Sequence, residues 1–264
     1  MRDDSSTPPL SARDIEFFVQ NGFVRIDRAF PRAFADAGRS LLWRALNLDP
    51  ADPAGWTRPV IRLDQFGQEP FVAAANTPRL CAAFDQLVGA GRWLPRHTLG
   101  TFPVRFPSRE DPGDIGWHVD MSFGTDSPDF MEWRINLHSR GRALLMLFLF
   151  SDIGIDDAPT RIRCGSQRTI ARQLISAGEE GLTLRELAAT GFSESAHLPE
   201  ALATGEAGTV YLCHPFLVHS AQSHRGDTPR FLAQPPLQPR GRNGIAYGDD
   251  AMLPVVRAVR EAIV

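Results

Sequence analysis

The sequence contains no lysine: all 28 of its basic residues are arginine. That excludes a pyridoxal Schiff base, a lysine nucleophile and the lysine of a Walker phosphate loop. Cysteine is scarce. Cys81, Cys164 and Cys213 are odd in number and lack CxxC spacing, which argues against a disulfide framework or a zinc knuckle and for reduced, buried thiols. Charge is nearly balanced, 28 basic against 31 acidic residues, with no block of five like charges. Neither a nucleic-acid footprint nor a polybasic membrane patch is therefore expected. The longest apolar run, ALLMLFLF at 143–150, is too short to span a bilayer, and the opening MRDDSSTPPL lacks the basic-then-apolar layout of a signal peptide. These absences lead to the expectation of a soluble, cytoplasmic protein with a small-molecule partner. Also missing are a GxGxxG after a strand and a GxSxG elbow, which weakens the dinucleotide and hydrolase readings.

What is present suits one domain of 264 residues, 43% apolar. SARDIEFFVQ at 11–20 reads as a helix capped by Ser11, with Asp14 in its first turn and Leu10 and Ile15 at hydrophobic-staple spacing; Asn21-Gly22 ends it. FVRIDRAF then alternates as a short strand, and Pro31 opens a second helix whose stripe is Phe34, Gly38, Leu41, Leu42 and Ala45. The chain to residue 95 is thus mainly helical. From 96 to 235, short extended runs separated by Gly, Pro, Asp and Ser predict a sandwich or jelly roll, with a helical insertion near 168–206 that is a candidate lid. Residues 236–264 form a tail and a last amphipathic helix packed on the outside.

The chemistry concentrates in two stretches. In GWHVDMSF (116–123), His118 and Asp120 stand two residues apart, so on a strand they would share a face. With seven histidines in the chain, that pair does not make a site without a third ligand. YLCHPFLVHSAQSHRGDTPRF offers His214, His219 and His224. His224 lies beside Arg-Gly-Asp, where a solvated turn is expected, and Pro215 marks His214 as a strand-end residue. His219 lies within an apolar alternation, and Arg230 enters the next strand eleven residues later. Two histidines and a carboxylate suit a non-haem Fe(II) site with open positions, and a nearby guanidinium can hold the far carboxylate of an oxo-diacid.

In the helix-NGF-strand opening, the His118-x-Asp120 pair, the HPFLVHS segment and the arginine eleven residues beyond it, the sequence resembles the phytanoyl-CoA dioxygenase-like Fe(II)/2-oxoglutarate oxygenases. The resemblance implies a double-stranded β-helix, or jelly-roll, fold of the cupin type, mainly β with flanking α. It selects His219 over His214 and implies that His118, Asp120 and His219 hold Fe(II). Arg230 and, on VIRLDQF, Arg62 would bind 2-oxoglutarate, with O2 as the oxidant. The implied reaction is hydroxylation or a related oxidation of a small metabolite or natural-product intermediate, releasing succinate and CO2. Asp120 fills the position that is small in halogenating relatives. Two departures stand out: Gln167, where the family's Gly-Ser-His run has its histidine, and Ala221, where some members carry serine. The rival readings are a cupin-like isomerase or direct dioxygenase without 2-oxoglutarate, and a silent binding domain.

Several other residues carry expectations. Trp117, Met121, Phe123 and Phe130 are candidate pocket residues, although core burial is the commoner fate of such side chains. Arg161 and Arg163 face either an anionic substrate or solvent. His138 is expected on a polar strand face, His97 and His197 at the surface, and Asp156 and Asp157 in turns.

Overall fold

The structure is a computed structural model that describes residues 8–241 and 252–264. Its first helix, α1 (Ala12–Asn21), begins with the expected cap: the Ser11 hydroxyl accepts from the Asp14 amide, and the Asp14 carboxylate accepts from the Ser11 amide. It ends at Gly22, whose left-handed φ of 82° favours a residue without Cβ. Next come β1 (Phe23–Ile26), α2 (Arg32–Leu46), β2 (Val60–Leu63), α3 (Glu69–Ala75), α4 (Pro78–Val88), β3 (Phe102–Arg105) and β4 (Arg134–Ile135). The rest runs β5 (Leu144–Leu149), β6 (Arg161–Arg163), α5 (Ser166–Leu174), β7 (Leu182–Thr183), α6 (Leu184–Ala188), β8 (Glu200–Leu202) and β9 (Val210–Cys213). It closes with β10 (His219–Ser220), β11 (Leu232–Ala233), β12 (Pro236–Leu237) and α7 (Pro254–Ile263).

The main sheet is antiparallel, in the order β1-β9-β5-β11, with β12 also paired to β5. β5 is the apolar run of the sequence, and all six of its residues are buried. Its side chains alternate between two cores. Leu144, Met146 and Phe148 join a cluster with the helical residues Phe18, Leu42, Phe71 and Phe84, while Leu145, Leu147 and Leu149 face Ile162, Ala203 and Leu217. Period-two alternation thus covers one face of the sheet with helices and the other with the second sheet, β10-β6-β8. α7 does more than rest on the outside, since Val255, Val256, Ala258 and Val259 are fully buried, and it packs on α5, α1 and α4.

Three expectations need correction. DIGWHVDMSF, one of the extended runs at 114–123, forms no regular strand; it makes single bridges, His118 to His219 and Phe123 to Arg134. Gly116 interrupts it and Gly113 and Gly124 flank it, and a ladder needs several consecutive paired residues. The extended run expected around His138, WRINLHS at 133–139, shortens to the two residues of β4, paired with β7. The stretch from 168 to 206 contains the expected helical pieces, but also β7 and β8, and β8 extends the second sheet beside β6.

Candidate active site

A cavity of about 640 Å³ is lined by residues of β2, β3, β10 and α6 and of the loops around them. His118, Asp120 and His219 line one part, and Arg105, Thr160 and Arg230 line another. The bridge between His118 and His219, with reciprocal amide-to-carbonyl bonds of 3.0 and 2.9 Å, draws the two distant stretches together.

One donor atom from each of His118, Asp120 and His219 lies within 4.8 Å of the others. Oδ1 of Asp120 is 4.0 Å from Nε2 of His118 and 3.9 Å from Nε2 of His219. Ligand atoms about 2.1 Å from a shared ion stand no more than about 4.2 Å apart, so these separations suit one ion. The rings are oriented by their other nitrogens: Nδ1 of His118 lies 3.0 Å from the carbonyl of Gly116, and Nδ1 of His219 lies 3.0 Å from that of Leu217. A carbonyl can only accept, so each Nδ1 carries the proton and each Nε2 presents its lone pair. Burial, joined by the His118 and Arg142 charges, lowers His219 to about 4 against the opposing pull of Asp120. The ring is therefore neutral at neutral pH, as a metal ligand must be. Burial opposes ionisation of Asp120, but Arg142 and the two histidines outweigh it and keep the carboxyl below its usual value.

The other part of the cavity is rich in cations. Three arginines, Arg62, Arg105 and Arg230, line it against one aspartate, Asp114, which leaves two positive charges in excess. Arg230 is 1% exposed and donates to the carbonyls of Ala158 and Pro103, at 2.5 and 3.2 Å. Burial and then Arg105 disfavour its cation, with only partial relief from Asp114. Nε of Arg230, Nε of Arg105 and Oγ1 of Thr160 are buried and have no hydrogen-bond partner among the described residues. Buried donors of this kind are costly when left alone.

Arg62 lines the same cavity but is 57% exposed and bonded to Asp114, which also takes Arg105 at 2.7 Å. This shared aspartate was not singled out from the sequence, nor was Arg142, whose Nη1 lies 3.0 Å from Oδ2 of Asp120. No local spacing signals either pairing. Trp117, Met121 and Phe130 line the cavity, together with Met131 and Trp133, whereas Phe123 lies outside it, under Arg140. Arg161 is partly exposed and pairs with Glu200, whereas Arg163 is buried against Phe192 and Ser195; both guanidiniums also sit over the Trp117 ring, at 4.5 and 4.0 Å.

His224 is not solvated. It is 4% exposed and held between the Thr228 carbonyl and the Gly226 amide. His214 lies outside the cavity lining, with Nε2 3.1 Å from the Val255 carbonyl, and burial lowers it to about 3. Gln167 is buried and donates to the Val19 carbonyl at the end of α1, and Ala221 lines the cavity. His97 and His197 are exposed, His138 pairs with Glu179, and Asp157 accepts from the Gly154 amide in a turn.

No family model matches the sequence, and no curated protein matches it. Solved structures do share the fold. SnoK, a non-haem α-ketoglutarate-dependent carbocyclase from nogalamycin biosynthesis, is 17% identical with a TM-score of 0.57, covering 90% of this chain and 89% of its own. HygX from Streptomyces hygroscopicus, with nickel and 2-oxoglutarate bound, is 20% identical with a TM-score of 0.55 over 85% of each chain. The epimerase SnoN, with Fe3+, α-ketoglutarate and nogalamycin RO, is 16% identical with a TM-score of 0.54 over 84% of this chain and 80% of its own. These neighbours are consistent with the resemblance to phytanoyl-CoA dioxygenase-like oxygenases. Among the described residues, no helix is long and apolar enough to cross a membrane.

Proposed function

We propose that the chain is a single-domain Fe(II)/2-oxoglutarate-dependent oxygenase of the phytanoyl-CoA dioxygenase-like family, with a jelly-roll core, that oxidises a C–H bond of a small metabolite. The observation that carries this reading is the two-part cavity: two histidines and a carboxylate in one region, and buried arginine donors with excess positive charge in the other. His118, Asp120 and His219 would hold the iron, and Arg230 the far carboxylate of 2-oxoglutarate, with Arg62 near the same anion. When bound, Fe(II), 2-oxoglutarate and O2 supply the oxidising power for C–H cleavage, with succinate and CO2 as co-products.

The chain's own contribution is position and dryness. The Gly116 and Leu217 carbonyls fix the imidazoles, and Arg230 contributes a buried fork suited to a carboxylate. Trp117, Met121, Phe130, Met131 and Trp133 form an apolar wall suited to a substrate body. Leu184 and Ala188 of α6 belong to the same lining, and Arg185 ties α6 to Asp129 and Glu132, so this part of the insertion serves as the cover. Asp120 favours hydroxylation, or a related oxidation, over halogenation. A natural-product substrate is supported by the neighbours: HygX has been solved with hygromycin B and SnoN with nogalamycin RO.

Anaerobic titration of metal-free protein with Fe(II) and then 2-oxoglutarate tests the proposal through the visible charge-transfer band of a chelated keto acid. The band is expected in the wild type. Arg230→Ala should weaken 2-oxoglutarate binding by about a hundredfold, the cost of removing one partner of a buried charge pair. Iron binding with no band in the wild type would leave a metal site without this co-substrate and move the cupin-like reading to first place.

A further inference from the structure

The two oxygens of Asp120 have different surroundings. Oδ1 faces the histidine pair, at 4.0 and 3.9 Å from their Nε2 atoms, and Oδ2 faces Nη1 of Arg142 at 3.0 Å. Asp120 belongs to no regular strand, so no ladder on its own segment fixes which oxygen points where. Arg142 does not share that looseness. The next residue, Ala143, donates to the Leu237 carbonyl at 2.7 Å, and β5 begins one residue later, in the middle of the main sheet. The turn before it is closed by Ser139, whose carbonyl accepts from the Arg142 amide at 3.1 Å and whose hydroxyl donates to the Arg142 carbonyl at 2.7 Å.

The approach of this turn to the metal-binding stretch depends on Gly141. Its φ is 87°, and a Cβ there would stand 2.4 Å from the Ser122 carbonyl oxygen. Across that contact the Arg142 side chain, 13% exposed, donates from Nη2 to the Met121 carbonyl at 3.5 Å, while Nη1 meets Asp120 as an ion pair without a directed hydrogen bond. One guanidinium thus draws the free oxygen of Asp120 by its charge and is tied to the backbone immediately after it.

We infer that Arg142 is a positioning residue that holds Oδ2 of Asp120 away from the ion, so that the carboxylate offers a metal only Oδ1. Ligation through one oxygen keeps a position open that a two-oxygen carboxylate would take, and a bidentate keto acid needs two open positions beside the one for O2. The inference rests on the reading of His118, Asp120 and His219 as metal ligands.

The test uses Mn(II), which is redox-silent here, bound to the full chain. Electron spin echo modulation in D2O counts the waters on the ion, and calorimetry reads 2-oxoglutarate binding to the Mn(II)-loaded protein. Arg142→Met is expected to lose one water, as Oδ2 reaches the ion, and to bind 2-oxoglutarate about 10- to 100-fold more weakly, the usual cost of removing a group that orients a ligand. Arg142→Gln, which keeps a polar N–H without the charge, should lose the water as Met does, and Arg142→Lys, which keeps the charge, should retain it. Should Arg142→Met fail to fold, Arg142→Gln takes its place. Wild-type hydration and affinity in Arg142→Met or its Gln substitute would overturn the inference. A wild-type chain that binds no Mn(II) would instead overturn the metal-site reading, and that is seen before any variant is made.

Discussion

β5 and the stretch from 107 to 142 are built on opposite terms. Every residue of β5 is buried, and the strand is paired to β9 on one side and to β11 and β12 on the other. The other stretch has one short 3-10 turn and a two-residue strand, yet it carries His118, Asp120 and, at its end, Arg142. The difference teaches that in this molecule stability and chemistry have been separated. Apolar burial and ladder bonds hold a rigid scaffold, and functional side chains ride on irregular backbone fastened to it at a few points: the His118–His219 bridge, the Arg142–Asp120 pair and the Gly141–Ser122 approach.

If that separation is real, damage to the two regions should give different readouts. The largest effect on folding is expected from Leu147→Ala, which opens a space between the sheets and should cost about 2–5 kcal/mol in denaturant unfolding of the metal-free protein, while metal affinity measured well below the transition stays within twofold. A parallel loss of metal affinity would erase the distinction. His118→Ala should do the reverse. Its side chain is 35% exposed, so stability should move by only about 0.5 kcal/mol. Metal affinity should fall by more than about a hundredfold, beyond the usual cost of losing a group that merely orients a ligand.

A smaller effect sharpens the comparison through pH. His214 packs beneath α7, and His219 lies in the site, and burial lowers them to about 3 and about 4. The unfolded chain, with histidines near 6.5, binds the protons first, so stability is lost as pH falls from about 6.5 towards 4. Between pH 7 and pH 5 each should cost about 2 kcal/mol in the metal-free protein. Saturating metal should recover the His219 share and leave that of His214 untouched. Thermal melts across that range, with and without metal, check this; equal recovery in a His214→Phe background and in the wild type is the expected sign that the two act independently.

Much of the site could be read along the chain because its residues fall in short local patterns. HVD and HPFLVHS are spacings of two to five residues, whereas the eleven-residue step from His219 to Arg230 leads from one sheet to the other, β10 pairing with β6 and β11 with β5. The cap on α1 was legible for the same reason as the short spacings. Arg142 was not, since nothing beside Gly-Arg-Ala states which carboxylate it will meet. The same holds for Asp114, shared between Arg62 and Arg105, and for Arg161 and Arg163, which lie over Trp117. His224 was misjudged because a turn motif marks a bend but not whether the bend is covered.

By itself, then, the amino-acid order determined the apolar strand at the centre, the capped first helix, the exclusion of lysine chemistry and the residue types able to hold a metal and an anion, because all of these follow from local periodicity and side-chain chemistry. Only the tertiary structure decided which oxygen of Asp120 faces the histidines, which buried donors lack partners and which aromatic residues enter the cavity. Those depend on contacts between segments tens of residues apart, whose register is set by the packing of the whole chain.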